Sequence, residues 1–556
     1  MQAFLLHSAS TGAVFRSFLR SAVGASLALG ALAATAQPTP QPTPTIDISP
    51  VEARAVPSAL PAGWQYGAFM EIFVRAYKDS NGDGVGDLKG VTQSLDYLKD
   101  LGIKGIWLMP ITTNADGDHG YATTDFRNID PAYGTLADFD ELIAQAHQRG
   151  IGVIMDYVIN HSAAGHPMFV SAKTGPASPF YDWFVWEKTA PTGWDIWGKN
   201  PWTQTEQGAY FGTFGPHMPD FNFKNPAVLA YHQSSLRFWL NRGLDGYRLD
   251  AVPHLVETNA KDWNDQPESR KITSDLRALI TGYPQRYVVC EATANPQIYA
   301  APDLCGGAFA FGLEKHLAQA AQGDKKSIQA VADYFKTAPQ SMATFASNHD
   351  IFAGRRLWDQ VHGNAAQYKL AAAAYLLLPG TPFIYYGEEI GMAGLKETKD
   401  VDGDLPIRAP MSWTADTQGA GFTTGTPFRA IAPNVKQQNA AAEVASPASI
   451  HAFYKRMLKL RNAYPSLASG SYVAPFVQRQ VLGYQRSLGA ETSLVLINYA
   501  KQSARVRVPS LPAHALLNNT DGRRIAPVRA NTQGQARITL PAQSVQVFTV
   551  SLPSKP

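Results

Sequence analysis

From Trp64 to about Pro465, short apolar runs alternate with longer amphipathic stretches. Gly67–Val74, Gly105–Met109, Gly152–Tyr157, Gly246–Asp250, Tyr287–Cys290, Met342–Ser347 and Pro382–Tyr386 read as buried strands. Between them, Leu136–Arg149 and Ala227–Arg242 carry apolar residues at the spacing of one helical face. Strand–helix alternation of this kind predicts a parallel sheet covered by helices. About 400 residues with about eight such strands favour an α/β fold closed into a (β/α)8 TIM barrel. An open doubly wound sheet is the alternative on pattern alone.

Two intervals break the rhythm. Residues 161–218 are rich in aromatics, glycine and proline with little periodicity, and read as a small domain inserted after the third strand. The barrel would then occupy residues 63–160 and 219–465, with Ile450–Leu460 as its last amphipathic helix. Beyond it, Val481–Arg486, Thr492–Tyr499, Ala504–Val508, Ala536–Leu540 and Ser544–Val550 are short β-type runs between turn residues. They predict an antiparallel β-sandwich domain over residues 466–556.

The N-terminus has a different texture. Arg16 and Arg20 precede a small, apolar run that ends Ala34-Thr35-Ala36, the order of a secretory signal peptide over residues 1–36. Residues 37–62 begin Gln-Pro-Thr-Pro-Gln-Pro-Thr-Pro and read as an extended linker, with order expected from near Trp64. The leader holds two arginines and no acidic residue, so its removal takes the formal charge from +3 to +1. That balance gives no electrostatic reason to bind nucleic acid. The expectation is an exported protein, secreted or periplasmic and monomeric, with no membrane span after cleavage. Cys290 and Cys305 are the two cysteines; a bridge and two buried thiols are both open.

Acidic and histidine residues fall at the ends of the predicted strands. Asp156-Tyr-Val-Ile-Asn160-His161 closes the third, Asp250 the fourth, Glu291 the fifth and Asn348-His349-Asp350 the seventh. Arg248 and Asp250 share a face of their strand, and a guanidinium favours the ionised carboxylate. Singly, each is readily a structural strand-end carboxylate. Jointly they would crowd one barrel mouth with like charge, a cost that function explains. Carboxylates without a serine or cysteine nucleophile suit glycosidic chemistry, in which one attacks as an ion and another donates a proton.

The chain from Trp64 onward resembles the α-amylase family, glycoside hydrolase family 13. The resemblance is carried, in order, by Asp156–His161, Gly246–His254, Glu291 and Asn348–Asp350, with Gly105–Pro110, Met218–Asn222 and Gly380–Met392 in support. It implies Asp250 as nucleophile, Glu291 as general acid/base and Asp350 as transition-state stabiliser. It further implies that Arg248 keeps Asp250 ionised, that His161 and His349 bind sugar hydroxyls, and that Tyr121 is a stacking platform. His254 would line the acceptor side, although Pro253 stands where many relatives carry a basic residue.

Asp79-Ser-Asn81-Gly-Asp83-Gly-Val85-Gly-Asp87 places oxygen ligands at alternate positions around glycines. Such a set suits Ca²⁺, with hydrogen-bonded Asx turns as the other reading. The family has a calcium loop of this type. That implies a structural Ca²⁺ held by Asp79, Asn81, Asp83, the Val85 carbonyl and Asp87.

The resulting expectation is a retaining α-amylase acting on α-1,4 links of starch or maltooligosaccharides. An exo-acting α-glucosidase or oligo-1,6-glucosidase, a cyclodextrin-cleaving enzyme and a trehalose synthase-like isomerase are the alternatives within the family. A glucan-binding barrel without catalysis is the rival outside it.

Overall fold

The computed structural model describes residues 46–399, 401, 403–520 and 526–552. The expected signal peptide and the first part of the expected linker lie outside the described residues. Among the described residues, no helix is long and apolar enough to cross a membrane.

Eight parallel strands close a barrel in sequence order: β1 (Phe69–Ile72), β2 (Gly105–Leu108), β3 (Gly152–Tyr157), β4 (Gly246–Leu249), β5 (Tyr287–Cys290), β6 (Ala308–Phe309), β7 (Met342–Thr344) and β8 (Thr381–Tyr385). Closure is the pairing of β1 with β8, Phe69 opposite Phe383. Seven of these strands are legible as apolar runs. The sixth has two residues and bonds β5 and β7 through Cys290–Ala308 and Ala308–Met342.

Alternation along each strand sorts the two faces. Met70, Ile106, Val153, Met155, Tyr247, Leu249, Val288 and Ile384 face outward into the main core under the helices. Phe69, Trp107, Ile154, Val289, Phe309, Ala343 and Phe383 fill the barrel interior. Above that apolar layer the inward positions are polar: Glu71, Asp156 and Arg248 are all buried. The strands approach closely where β4 begins. A Cβ on Gly246 would lie 1.8 Å from the Tyr287 carbonyl oxygen, so that position admits only glycine.

The covering helices start at recognisable caps. Thr135 and Asp138 form a reciprocal capping box on Leu136–Gln148. Asn225 caps Pro226–Leu240 with proline at the first helical position. Between β3 and that second helix the chain forms a three-stranded antiparallel sheet of Trp186–Glu187, Gly208–Phe211 and Trp202–Thr205. After the helix Ile450–Ala463, a six-stranded antiparallel sheet and the pair Ala504–Val508/Ala536–Leu540 enclose a separate apolar core.

One expectation about a segment end is corrected. Residues 46–62 form no helix or strand, yet they are fastened to the barrel. Arg127 reaches the Ser49 carbonyl at 2.9 Å and Asp47 at 3.4 Å, and Asn241 bonds the backbone of Glu52 and Arg54. Leu60 and Trp64 plug the barrel floor against Phe69 and Ile154. Trp64 takes the space a Cβ on Gly152 would need, with ring atoms 2.2 Å away. Order therefore starts well before Trp64, because the apolar residues of this stretch have somewhere to bury. Of the two readings open for the cysteines, the structure has the bridge: Cys290 and Cys305 are joined by a disulfide, with Cα atoms 6.3 Å apart.

Candidate active site

A cavity of about 620 Å³ opens at the C-terminal ends of the strands. Tyr121, His161, Asp250, His254, Glu291 and Asp350 all line it, together with His119, Trp197, Phe352, Asp404 and Arg408. Residues from the ends of β3, β4, β5 and β7 thus meet at one mouth, as the sequence pattern anticipates for such a barrel. Arg248 and His349 stand elsewhere: both are fully buried beneath the wall, behind the residues that face the cavity.

Arg248 is the hub of the charged layer. Its Nη1 donates to Asp156 at 2.8 and 3.1 Å and to Asp250, and its Nη2 donates to Glu291 at 2.8 Å. The Ala251 N–H also donates to Glu291, at 3.2 Å. Ala251 itself sits at φ 49°, where the chain turns out of β4. One guanidinium thus serves three carboxyl groups, of which Asp156 and Asp250 are buried and Glu291 is partly open to the cavity. Burial raises the Asp250 carboxyl well above its ordinary range despite the pull of Arg248. Burial acts on Glu291 as well, but Arg248, Asp250 and the Ala251 N–H outweigh it and hold that group low. The two carboxyls titrate as a pair, burial favouring the proton on Asp250 and Arg248 disfavouring it on Glu291. Asp350, raised to about 7 by burial against the opposing charge of Arg408, is the third acid of the cluster.

Beneath Tyr121 runs a chain of hydrogen bonds. Tyr121 donates its hydroxyl to Asp156 Oδ2 at 2.9 Å, and His349 Nε2 lies 2.7 Å from the same hydroxyl oxygen. The two rings stack, 5.5 Å between centroids and 12° between planes. On its other side, His349 Nδ1 is 2.6 Å from Glu71 Oε1. Burial keeps His349 neutral and raises Glu71 well above the carboxylate range. The raised Glu71 and the lowered His349 favour one arrangement of the protons. Tyr121 spends its proton on Asp156, so His349 Nε2–H donates to the tyrosine oxygen. Nδ1 is left bare, and a protonated Glu71 donates to it. His161 is also neutral, lowered to about 3 by burial, and its Nε2 sits 3.2 Å from the Tyr121 carbonyl oxygen. His254 stacks on Trp263 at 5.3 Å, and burial lowers it to about 4.

Several residues of the site were not singled out from sequence. Glu71 closes β1, so the strand-end rule that found the other acids also covers it. Arg408 and Asp118 come from loops after β8 and β2 and carry no periodic signal. Arg408 Nη2 lies 3.3 Å from Asp350 and 3.2 Å from Asp404, and its Nη1 is 3.5 Å from Asp118. Arg429 bonds Asp118 at 2.6 Å. This ion-pair chain ties the loops after β2 and β8 together beside Asp350, on the far side of the barrel from β4 and β5.

In the Asp79–Asp87 loop, the side-chain oxygens are turned onto the loop's own donors. Asp79 accepts from the N–H groups of Asn81, Gly82 and Gly84 and from Thr423 Oγ1. Asp87 accepts from Ser80 and from the Gly90 N–H, capping the helix Leu88–Gln93. Asp83 accepts from the Val85 N–H and Asn81 Nδ2, and Asn81 Oδ1 from the Asp83 N–H. Among the described residues, no three acidic, histidine or cysteine side chains converge as a metal cage. The loop stands here as nested Asx turns. Its donors (carboxylates, an amide and a carbonyl) are nevertheless those of a hard-cation site, and an oxygen accepting one hydrogen bond keeps a second lone pair.

Residues 71–470 match the family model of the α-amylase catalytic domain. Alpha-amylase 3 of Dictyoglomus thermophilum is 34% identical over 450 residues, covering 77% of this chain and 84% of that protein. A probable α-glucosidase of Rhizobium meliloti is 30% identical over 505 residues, covering 80% of this chain and 91% of its own length. The crystal structure of an isomaltulose synthase mutant from Erwinia rhapontici NX5, in complex with sucrose, superimposes with a TM-score of 0.75. It is 26% identical and covers 89% of this chain and 100% of that one. With the barrel, the strand-end acids and this match over most of its length, the chain belongs to the α-amylase family of glycoside hydrolases, enzymes that act on glucosidic bonds.

Proposed function

We propose that the protein is a retaining α-glucosidase that removes one terminal glucosyl unit from short α-linked oligosaccharides. The observation that carries this reading is the Arg408–Asp118 ion pair beside Asp350. The leaving sugar must lie against Glu291, on the β4–β5 side, where His254 and Trp263 stand. The far end of the glucosyl ring then points to the β8–β2 rim, and a chain continuing there would run into the ion pair. An endo-acting α-amylase needs that end open, so the alternative expectation from sequence fits the geometry better than the main one.

The steps follow from the three acids. Glu291 gives its proton to the glycosidic oxygen as the C1–O bond breaks, and an Asp250 oxygen bonds C1. Arg248 compensates the charge Asp250 carries before attack, and Asp350 faces the charge that develops on the ring. Water then attacks C1 and gives a proton to Glu291, and Asp250 leaves as a carboxylate. Seating the glycosidic oxygen against Glu291 favours the protonated form of that carboxyl, which then has an acceptor to donate to. A second reading, in which the released sugar is retained and re-glucosylated, is supported by the likeness to the isomaltulose synthase.

A product time course separates these readings. Glucose from maltoheptaose within the first minutes, with the iodine colour of starch persisting, is the expected result. Early mixed oligosaccharides and rapid loss of colour would overturn it for an endo-acting amylase. Conversion of maltose or sucrose to an isomeric disaccharide without net hydrolysis would favour the transferase.

Structural Ca²⁺ at Asp79, Asn81, Asp83, the Val85 carbonyl and Asp87 belongs to this reading, its support being the donor set. Chelator should lower the melting temperature of wild type and leave an Asp83→Ala variant unchanged. Export belongs to it too, supported by the leader pattern and by a disulfide suited to an oxidising compartment. The mass of the mature chain from a fractionated host tests cleavage near Ala36.

A further inference from the structure

The inserted domain carries a tryptophan in a costly position. Ile196 and Lys199 exchange both backbone hydrogen bonds, at 2.8 and 3.0 Å, around a two-residue turn of Trp197 and Gly198. Both turn residues have positive φ, 50° and 82°, the pattern of a type I′ turn. The first position of that turn favours asparagine, aspartate or glycine, and a bulky aromatic there is an outlier. The Gly198 N–H is held by Asp195 Oδ1 at 2.6 Å, so the turn is locally well determined.

The strained residue is also the wrong one to leave in water. Trp197 is 62% exposed, among the most exposed large apolar side chains of the described residues, and it lines the active-site cavity. Its ring meets Trp263 at 5.4 Å edge to face, Phe214 at 5.6 Å and His254 at 5.7 Å. The Trp263–His254 stack buttresses it from the loop after β4. A flat indole face is thus fixed at the rim by three aromatic neighbours from two parts of the chain. Local strain together with unburied aromatic area is what a binding platform leaves uncompensated until its ligand arrives.

We infer that Trp197 is the stacking platform for the leaving-group sugar, and so sets which sugars can occupy the acceptor side. The inference rests on the glucosidase reading above. The Glu291 side of the cavity is where the departing ring must lie, and Trp197 stands on that side with His254. The same platform would hold an incoming sugar when a glucosyl unit is transferred rather than hydrolysed.

The test compares two substrates that differ only in what leaves. Maltose loses a sugar; α-glucosyl fluoride loses an ion that no ring can stack on. Trp197→Asn places a residue suited to the turn, so the melting temperature should hold or rise. The expected result is a fall of tenfold or more in kcat/KM for maltose, with the value for α-glucosyl fluoride within twofold of wild type. Trp197→Phe, which keeps an aromatic face, should recover most of the loss. Parallel falls on both substrates, or an unchanged value for maltose, would overturn the assignment. Wild-type protein inert toward both substrates would instead sink the glucosidase reading on which it stands.

Discussion

Glu71 at the end of β1 lies 2.6 Å from His349 Nδ1, although 278 residues separate them in the chain. Burial raises the Glu71 carboxyl well above its ordinary range, which favours a carboxylic acid as the partner of the histidine under Tyr121. Glu71→Gln keeps a donor facing Nδ1 and should retain kcat/KM within a few-fold. Glu71→Leu leaves a buried Nδ1 unpaired, a cost of about 1–3 kcal/mol, and should lower kcat/KM about tenfold to a hundredfold. Steady-state kinetics of the two variants decides it. Equal losses would show that size or charge at position 71 matters, and not the proton.

Glu291 and Asp250 share Arg248 but have different tasks. Glu291→Gln should lower kcat on maltose by about 10²–10⁴-fold. The same variant should lose far less on α-glucosyl fluoride, whose leaving group needs little proton donation. Asp250→Asn should be inactive on both, since C1 then has no partner. Near wild-type turnover of either variant on maltose would disprove these roles.

The buried acids just after β8 predict a pH dependence of stability. Burial raises Glu388 and Glu389 to about 7 from an ordinary 4.5, even though Glu388 accepts from Tyr375, Tyr454 and Ser347. The folded chain therefore holds protons that the unfolded chain has released. Their contribution is full below pH 4.5 and is lost as pH rises through about 7. Glu388→Gln, which stays neutral, should shrink the drop in melting temperature between pH 5.5 and pH 8 by about 2 °C or more. Thermal melts at the two pH values measure it, and an unaltered drop would remove Glu388 from the account.

Cys305 anchors the loop before β6 to the residue preceding Glu291. Its sulfur closes a short loop, 15 residues in sequence separation. Cys305→Ser should cost about 3 kcal/mol of stability. Denaturant unfolding with and without reductant checks this: reductant should destabilise wild type toward the variant and leave the variant itself unmoved.

Much of the architecture was legible because the barrel strands are buried on both faces and stand out as apolar runs. β6 was not, since two residues leave no run, and its place is set by pairing with β5 and β7. Asp250, Glu291 and Asp350 could be read because strand ends are where such barrels gather chemistry. Arg408 and Asp118 could not, because loop residues meet through tertiary geometry that periodicity does not encode. Residues 46–62 misled by composition. Proline and threonine before them suggested a free tether, whereas Leu60 and Trp64 complete the barrel floor.

The pairing of β1 with β8 has a consequence for how the protein is made. Glu71 is synthesised long before His349, and Phe69 waits for Phe383. Until β8 has been synthesised, β1 lacks one of its two neighbours, and Glu71 lies on an open edge strand that water can reach. Closure is thus a late, long-range event, the kind that slows folding and leaves unpaired strands available to other chains. Conditions that protect the open edge during the wait, such as a lower temperature that weakens apolar association, should raise the yield of active protein more than they alter the stability of the finished fold.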